Sequence, residues 1–153
     1  MKDSQVGSFG VQSLVFTTLI QIACLSRIQN EMIFILPICC FWGRFSTIIF
    51  IDQFRYLTFK KKSISHKKHW NGFLKESSVS LSLLIVLLFY YFISFKSIET
   101  LLLKLFLILV GFFVSYKIPQ ILGNKIGGFN GDACGASVII VETTMLFMNA
   151  ILL

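Results

Sequence analysis

The chain has 153 residues, of which 56% are hydrophobic and 14% charged, and its mean hydropathy is +0.80. Soluble domains carry about a quarter charged residues, so this composition excludes a disordered chain and argues against an ordinary soluble domain. The 14 basic and 7 acidic residues leave a net charge of +7, but nucleic-acid binding does not require so much apolar sequence. We therefore expect membrane lipid as the partner and no nucleic acid.

Five apolar stretches are long enough, or nearly so, to cross about 30 Å of hydrocarbon as helices of about 20 residues. The first is short and contains Gln21, which leaves a tilted or half-inserted helix as an alternative. The pattern predicts an all-α, polytopic integral membrane helix bundle with about five spans, forming a single domain over residues 1–153. The predicted spans are Val11–Leu25, Met32–Ile51, Val79–Phe95, Thr100–Ile118 and Ala133–Leu153.

The residues before the first span and the cysteines limit the class of protein further. The N-terminal segment lacks a lysine-rich region leading into a cleavable apolar core, so we do not expect a signal peptide. The four cysteines, Cys24, Cys39, Cys40 and Cys134, lack the spacing of metal ligands. We expect free thiols, packed mostly in helices.

Positive charge is concentrated between the second and third predicted spans. From Asp52 to Glu76 there are seven basic residues and two acidic ones. The neighbouring turns, which carry Arg27 with Glu31 and Lys96 with Glu99, are neutral. The positive-inside rule therefore places the basic segment in the cytoplasm. Counting spans from there puts the N-terminus and the late segment 117–132 inside as well, and the C-terminus outside.

The late segment KIPQILGNKIGGFNGDACGAS, residues 117–137, contains five glycines. Glycines allow tight turns and a close approach of backbone to a ligand, and Asp132 stands where an N-cap would precede the last span. Free amides at a helix start favour anions, and a carboxylate beside them can hold a magnesium ion that bridges phosphates. A purely structural interpretation, a turn followed by a capping Asp132, stays open beside this one.

Two charged residues lie inside predicted spans. Glu142 is about 15 Å into the last span, and Gly135, Glu142 and Asn149 recur every seven positions on a stripe that we expect to face protein. The Glu142 carboxylate would contact a ligand, support a site residue or make an interhelical hydrogen bond. Arg44, in the second span, would either clamp a phosphate or extend its guanidinium to the membrane interface.

Three segments resemble the cobalamin synthase family, the adenosylcobinamide-GDP ribazoletransferases. They are the opening MKDSQVGSFGV, the Gly43-Arg44 pair within a span, and the closing IGGFNGDACGASVIIVE. The closing stretch is similar to a family element GG-x-x-GD-x-x-G that is followed by an apolar helix with a glutamate. The resemblance implies a bacterial plasma (inner) membrane protein that joins alpha-ribazole, or its 5'-phosphate, to adenosylcobinamide-GDP and releases GMP.

The resemblance also implies roles for individual residues. Asp3 and Asp132 would be catalytic and would ligate Mg²⁺, while Lys2 and Arg44 would offset negative charge on the diphosphate. Glu142 would support a residue of the site or act as a polar anchor. The residues implied to contact substrate are Lys2, Ser4, Arg44, Gly127, Gly128, Asn130, Gly131 and Gly135.

One family feature is expected upstream of the region that this sequence covers. Family members carry an aspartate-rich stretch similar to H-x-D-G-x-x-D-x-x-D-G before the MKDS-like segment, whereas this sequence begins at Met1, inside the domain. We therefore expect an N-terminally truncated, rear part of a family domain, and the sequence leaves its catalytic competence open. The alternatives are an inactive membrane remnant of that enzyme and an unrelated small membrane subunit of a transporter.

Overall fold

The computed structural model describes residues 7–28, 32–57, 70, 72–93 and 98–152. These residues form five α-helices, and their only extended pairing is a single bridge between Tyr56 and Phe129. The prediction of an all-α bundle is confirmed. The helices are α1 Ser8–Arg27, α2 Met32–Gln53, α3 Phe73–Ile93, α4 Ile98–Ile126 and α5 Gly131–Leu152.

Four of the described helices are long and apolar enough to cross a membrane, which makes the chain an integral membrane protein. The first of them has 20 residues, although the sequence left a half-inserted helix open there. The predicted fifth span, Val79–Phe95, falls on α3 and partly outside the described residues. The four apolar segments are Ser8–Arg27, Ile33–Gln53, Leu102–Ile126 and Gly131–Leu152.

The fourth helix is longer than the sequence indicated. The predicted span ended at Ile118, directly before Pro119, yet α4 continues to Ile126 with Pro119 inside it. Proline removes one backbone hydrogen bond, and membrane helices tolerate this where neighbouring groups compensate. Pro119 is fully buried, so packing against other helices holds this part of α4 in place.

The bundle is built around α2, α4 and α5, which pack on one another, while α1 packs on α5 and α3 packs on α2. Its core joins Phe41, Trp42 and Phe45 of α2 to Val141 and Met145 of α5, all of them buried. These aromatic rings meet at edges and offset faces, an arrangement that favours ordered packing.

Close approach of α4 to α2 depends on Gly111. A Cβ atom at this position would collide with the Trp42 indole. Small residues at such contacts let helix backbones approach within a membrane, where packing rather than water exclusion holds helices together.

The outer faces of α1 and α4 are covered by apolar side chains. Phe9, Leu14 and Phe16 of α1 are largely exposed, as are Leu109 and Phe113 of α4. In water such faces would drive aggregation, but a bilayer offers them hydrocarbon of equal apolarity. These faces therefore fit a membrane-embedded bundle.

The cysteines are free thiols within helices, as predicted. Cys24 and Cys39 are buried, Cys134 is partly buried, and Cys40 is exposed. Cys134 lies in the first turn of α5, which begins at Gly131.

One end of the bundle brings together the start of α1, the end of α2 and the turn between α4 and α5. There the Leu57 N–H donates to the Phe129 carbonyl (2.8 Å), and the Phe129 N–H donates to the Arg55 carbonyl (2.9 Å). The α1 and α5 helices run in the same direction, because Ser13 lines a groove with Ala136 near this end and Gln21 bonds to Thr143 further along both helices. The described ends of the N-terminal and basic segments and the turn before α5 therefore lie at one end of the bundle, while the other residues of the first two segments lie outside the described residues. The side of the membrane that this end faces stays a prediction.

Candidate functional site

The turn that leads into α5 begins with two glycines that have structural reasons to be there. Gly127 has a φ of +81°, a left-handed conformation that ends α4, and its N–H donates to the Gly123 carbonyl (2.8 Å). A Cβ atom at Gly128 would lie 2.6 Å from the Arg55 carbonyl oxygen. Gly128 therefore lets this turn lie against the end of α2. The predicted contact of both glycines with substrate stays a prediction.

Phe129 anchors the turn to the bundle. Its side chain is buried, with ring centroids 6.1 Å from Phe50 and 5.1 Å from Tyr56. This aromatic cluster and the backbone bonds to the end of α2 hold the following residues in place. Phe129 was not among the residues predicted for the site, although it is the apolar residue within the glycine-rich turn.

Asn130 caps α5. Its Oδ1 accepts a hydrogen bond from the Ala133 N–H (2.7 Å), and its carbonyl accepts one from the Cys134 N–H (3.0 Å). The expectation that Asp132 is the N-cap is therefore wrong. An asparagine side chain satisfies the same orphan amide, and the helix starts at Gly131, which leaves Asp132 within its first turn.

The start of α5 presents Gly131, Asp132 and Gly135 as an exposed face. Among the described residues, no heavy atom outside the adjoining backbone of α5 lies within 4 Å of a Cβ built at either glycine. The expectation that Gly135 faces protein with Glu142 and Asn149 is wrong for Gly135. The reason is that α2 packs on the other side of α5, where Ser137 is buried. The open face can therefore accommodate a ligand beside the Asp132 carboxylate and the first amides of the helix.

An ion pair lies deeper in the bundle. Arg44 Nη1 donates to Glu142 Oε1 at 2.7 Å, and the side chains are 65% and 20% exposed. Both residues stand near the middle of their helices, and Arg44 lies roughly 13 Å before the end of α2. The interhelical hydrogen bond considered for Glu142 is confirmed. Arg44 bonds to this carboxylate. The pairing was not predicted from the sequence, although opposite charges at similar depths in two spans could have indicated it.

Gly43 makes room for this ion pair. A Cβ atom at Gly43 would lie 2.7 Å from Glu142 Cγ and 2.8 Å from its Oε1. Because no real Cβ atom packs at such a distance, any larger residue would displace the glutamate. Gly43 is thus part of the geometry of the pair, a role that sequence reasoning did not assign.

Two hydrogen bonds between helices flank the ion pair. Ser46 Oγ and Ser137 Oγ lie 2.9 Å apart in the buried contact between α2 and α5. On the other side, Gln21 Nε2 donates to Thr143 Oγ1 at 2.8 Å and joins α1 to α5. Polar bonds of this kind hold membrane helices in a fixed register. These pairs were not predicted from the sequence, where their only signal is a small polar residue inside an apolar span.

An open groove of about 420 Å³ lies between α1 and α5. It extends from Ser13 and Ala136, close to the end with the glycine-rich turn, to Gln21 and Glu142. The ion pair therefore stands at its deeper end. The residues that line the groove are Ser13, Leu14, Thr17, Thr18, Gln21, Ala136, Ile139, Ile140 and Glu142.

Three of the predicted site residues, Lys2, Asp3 and Ser4, lie outside the described residues. Within the part of the chain that the structure describes, no three His, Cys, Asp or Glu side chains come close enough to share a metal ion. The pairing of Asp3 with Asp132 around magnesium therefore stays a prediction.

Comparison with known protein families finds a match that covers almost the whole chain. A model of the family described as cobalamin-5-phosphate synthase matches residues 1–150. A protein of Prochlorococcus marinus (strain SARG) named adenosylcobinamide-GDP ribazoletransferase is 42% identical over 157 residues, which cover 100% of this chain and 60% of that protein. No solved structure matches the chain.

More distant relatives carry the same name. The protein of Prochlorococcus marinus (strain MIT 9303) is 33% identical over 155 residues, covering 100% of this chain and 60% of its own length. That of Clostridium tetani (strain Massachusetts / E88) is 32% identical over 154 residues, covering 99% and 58%. This chain therefore spans about three fifths of the length of the curated relatives that it matches.

Proposed function

We propose, from the premise that this chain belongs to the cobalamin-5-phosphate synthase family, that it acts as an adenosylcobinamide-GDP ribazoletransferase. It would join alpha-ribazole, or its 5'-phosphate, to adenosylcobinamide-GDP and release GMP in cobalamin biosynthesis. The observation that carries the proposal is the family match over residues 1–150. This range includes the glycine-rich turn and all of α5 except its last two residues.

The exposed start of α5 supports the proposal. Asn130 engages the Ala133 amide, which leaves the amides of Gly131 and Asp132 without a partner inside the helix. Amides at a helix start, together with the positive end of the helix dipole, favour phosphate oxygens. We therefore place the diphosphate of the substrate against this turn.

The chemistry of the described donors fits a magnesium ion held mainly by substrate. Magnesium keeps several waters and takes one or two carboxylates beside phosphate oxygens, and Asp132 offers an exposed carboxylate next to the proposed diphosphate site. We propose Asp132 and Asp3 as the residues that would hold it. When bound, the ion supplies charge neutralisation at the diphosphate.

The proposed reaction is a phosphoryl transfer. A hydroxyl oxygen of alpha-ribazole, or of alpha-ribazole 5'-phosphate, attacks the phosphorus that is bonded to cobinamide. The bond from that phosphorus to the GMP oxygen breaks, and the proton of the hydroxyl is released to water. Such reactions depend on alignment of the attacking and leaving oxygens and on stabilisation of their charge. The backbone amides at the start of α5 would orient the diphosphate, and Lys2 would offset its charge.

We also propose that the protein lies in a bacterial plasma (inner) membrane with its N-terminus in the cytoplasm. The supporting observation is charge. The basic segment starts at the end of α2, beside the glycine-rich turn, and positive segments remain cytoplasmic. The proposed site would then face the compartment that supplies nucleotides.

The proposal is tested in bacteria that lack this transferase. The cells express either this chain or a version that includes any in-frame codons before Met1, and cobalamin formed from cobinamide and the base is measured. Asp132→Asn is compared with Asp52→Asn, which changes another exposed carboxylate at the same end of the bundle. Membrane content of each variant is measured in parallel.

We expect cobalamin to form in cells that express the unaltered protein. Asp132→Asn should abolish its formation, whereas Asp52→Asn should not. Both variants should reach normal membrane content. Cobalamin formation by the longer version alone would assign part of the catalytic apparatus to the added residues. Failure of both versions, at normal membrane content, would refute the proposed function.

A further inference from the structure

The groove between α1 and α5 has no role in the proposed function so far. Its polar side chains use their hydrogen-bond donors within the protein, so that acceptors face the groove. Ser13, Thr17 and Gln21 are spaced by four residues, which places them on one face of α1. This row ends beside Glu142 of α5. The groove therefore offers a ladder of polar groups between apolar walls.

The hydroxyl groups of the ladder are available only as acceptors. Ser13 Oγ donates to the Phe9 carbonyl (2.8 Å), and Thr17 Oγ1 donates to the Ser13 carbonyl (2.7 Å). Thr18 Oγ1 likewise donates to the Leu14 carbonyl (2.8 Å). Because each hydroxyl has a single hydrogen, the lone pairs of the oxygens are what remains for a ligand.

The deeper end of the groove has the same character. The Gln21 amide uses Nε2 to donate to Thr143, and among the described residues its Oε1 has no partner. Glu142 accepts a bond from Arg44 at one oxygen only, and among those residues Oε2 also remains unpaired. The Arg44 guanidinium balances the carboxylate charge, so the groove favours a neutral donor over a free cation.

A fitting ligand therefore has an apolar body and neutral N–H donors. Leu14, Ile139 and Ile140 supply apolar walls that suit such a body. Primary carboxamides are neutral and carry two N–H donors each, and a cobinamide is a corrin macrocycle fringed with carboxamides. The groove also runs toward the end of the bundle where the diphosphate site is proposed.

Resting on the proposed function, we propose that the groove between α1 and α5 binds the amide-bearing edge of the corrinoid substrate. Thr17, Gln21 and Glu142 accept hydrogen bonds from its carboxamide N–H groups. The edge of the ring then lies within the membrane, beside the middle of α1 and α5, while the attached diphosphate extends toward the start of α5. This arrangement explains why a line of acceptors is maintained inside apolar helices, where an unused polar group is costly.

The proposal is tested by binding of two coloured probes to the full chain in lipid nanodiscs. The first probe is cobinamide, and the second is a corrinoid whose side-chain amides are replaced by methyl esters, which keep the apolar body but lack N–H donors. The groove variants are Thr17→Val and Gln21→Met. Their matched controls are Thr144→Val, another threonine that donates to its own helix, and Gln12→Met, an exposed glutamine of α1 outside the groove.

We expect each groove variant to weaken cobinamide binding about five- to tenfold, the effect of one lost hydrogen bond, and each control to change it less than twofold. The ester probe should bind more weakly to the unaltered protein and equally to all variants, which also shows that the variants remain folded. Equal binding of cobinamide by groove variants and controls would overturn the proposal, as would equal affinity for the two probes. Neither result bears on the proposed function, which the transfer assay in cells tests separately.

A third outcome is the absence of saturable cobinamide binding by the unaltered chain. This result also overturns the groove proposal. Cobalamin formation in the cell assay would then retain the transferase with a different corrinoid site, and its absence would remove both proposals.

Discussion

The Arg44 guanidinium and the Glu142 carboxylate, 98 residues apart in the sequence, meet at 2.7 Å between the middle of α2 and the middle of α5. Each charge alone would be costly at this depth. Their contact joins α2 to α5 at the point where the groove ends.

Breaking this ion pair should reveal coupling between the two residues. Arg44→Met and Glu142→Gln should each destabilise the protein, because each leaves one charge without its partner. The double variant should lose less than the sum, with a coupling of about 1–3 kcal/mol. Unfolding in detergent, with Lys125→Met as an exposed control, measures this coupling, and strict additivity would contradict it.

Gly43 lies so close to Glu142 that there is no room for a methyl group at residue 43. Gly43→Ala should destabilise the bundle by about 1–3 kcal/mol, since its Cβ would lie 2.7 Å from Glu142 Cγ. Gly135→Ala, a helical glycine with open space around it, is the matched control and should not lower stability. Thermal unfolding in detergent distinguishes the two, and an equal effect of both substitutions would count against the geometry at Gly43.

The cap of α5 predicts a difference between two substitutions at one position. Asn130→Ala should cost about 0.5–2 kcal/mol because the Ala133 amide loses its acceptor, whereas Asn130→Asp should retain the cap. Asn124→Ala, at an exposed position of α4, serves as control. Unfolding free energies test this ranking, and a stable alanine variant would show that the cap contributes nothing.

The orientation of the bundle can be measured directly. In a chain without its native cysteines, Ser26→Cys should react with an impermeant maleimide on intact cells. Gln53→Cys should react only after permeabilisation. Both positions are exposed ends of helices, and the basic segment after α2 should hold the Gln53 end inside.

Neutralising Lys60, Lys61, Lys62, Lys67 and Lys68 should produce a mixed orientation in the same labelling experiment. The five charges supply most of the positive bias of the segment. A topology that stays unchanged would show that this segment does not set the orientation.

Many residues of the candidate site could be predicted from the sequence, but the contacts that they make could not. Asp132 and its glycines were recognised from spacing, but Asn130 rather than Asp132 caps the helix, because the exact start of a helix depends on where the preceding turn is held. Phe129 holds that turn through its burial beside Phe50, a contact between distant parts of the chain.

By itself, the sequence determined the class of protein, the approximate spans and the family resemblance. Helix length and hydropathy are local properties, and a bilayer selects for them directly. Only the tertiary structure decided that Arg44 faces Glu142, that Gly43 admits the carboxylate, and that α1 and α5 enclose a groove. These features depend on the rotation and packing of helices against one another, and the weak periodicity of almost wholly apolar spans does not specify them.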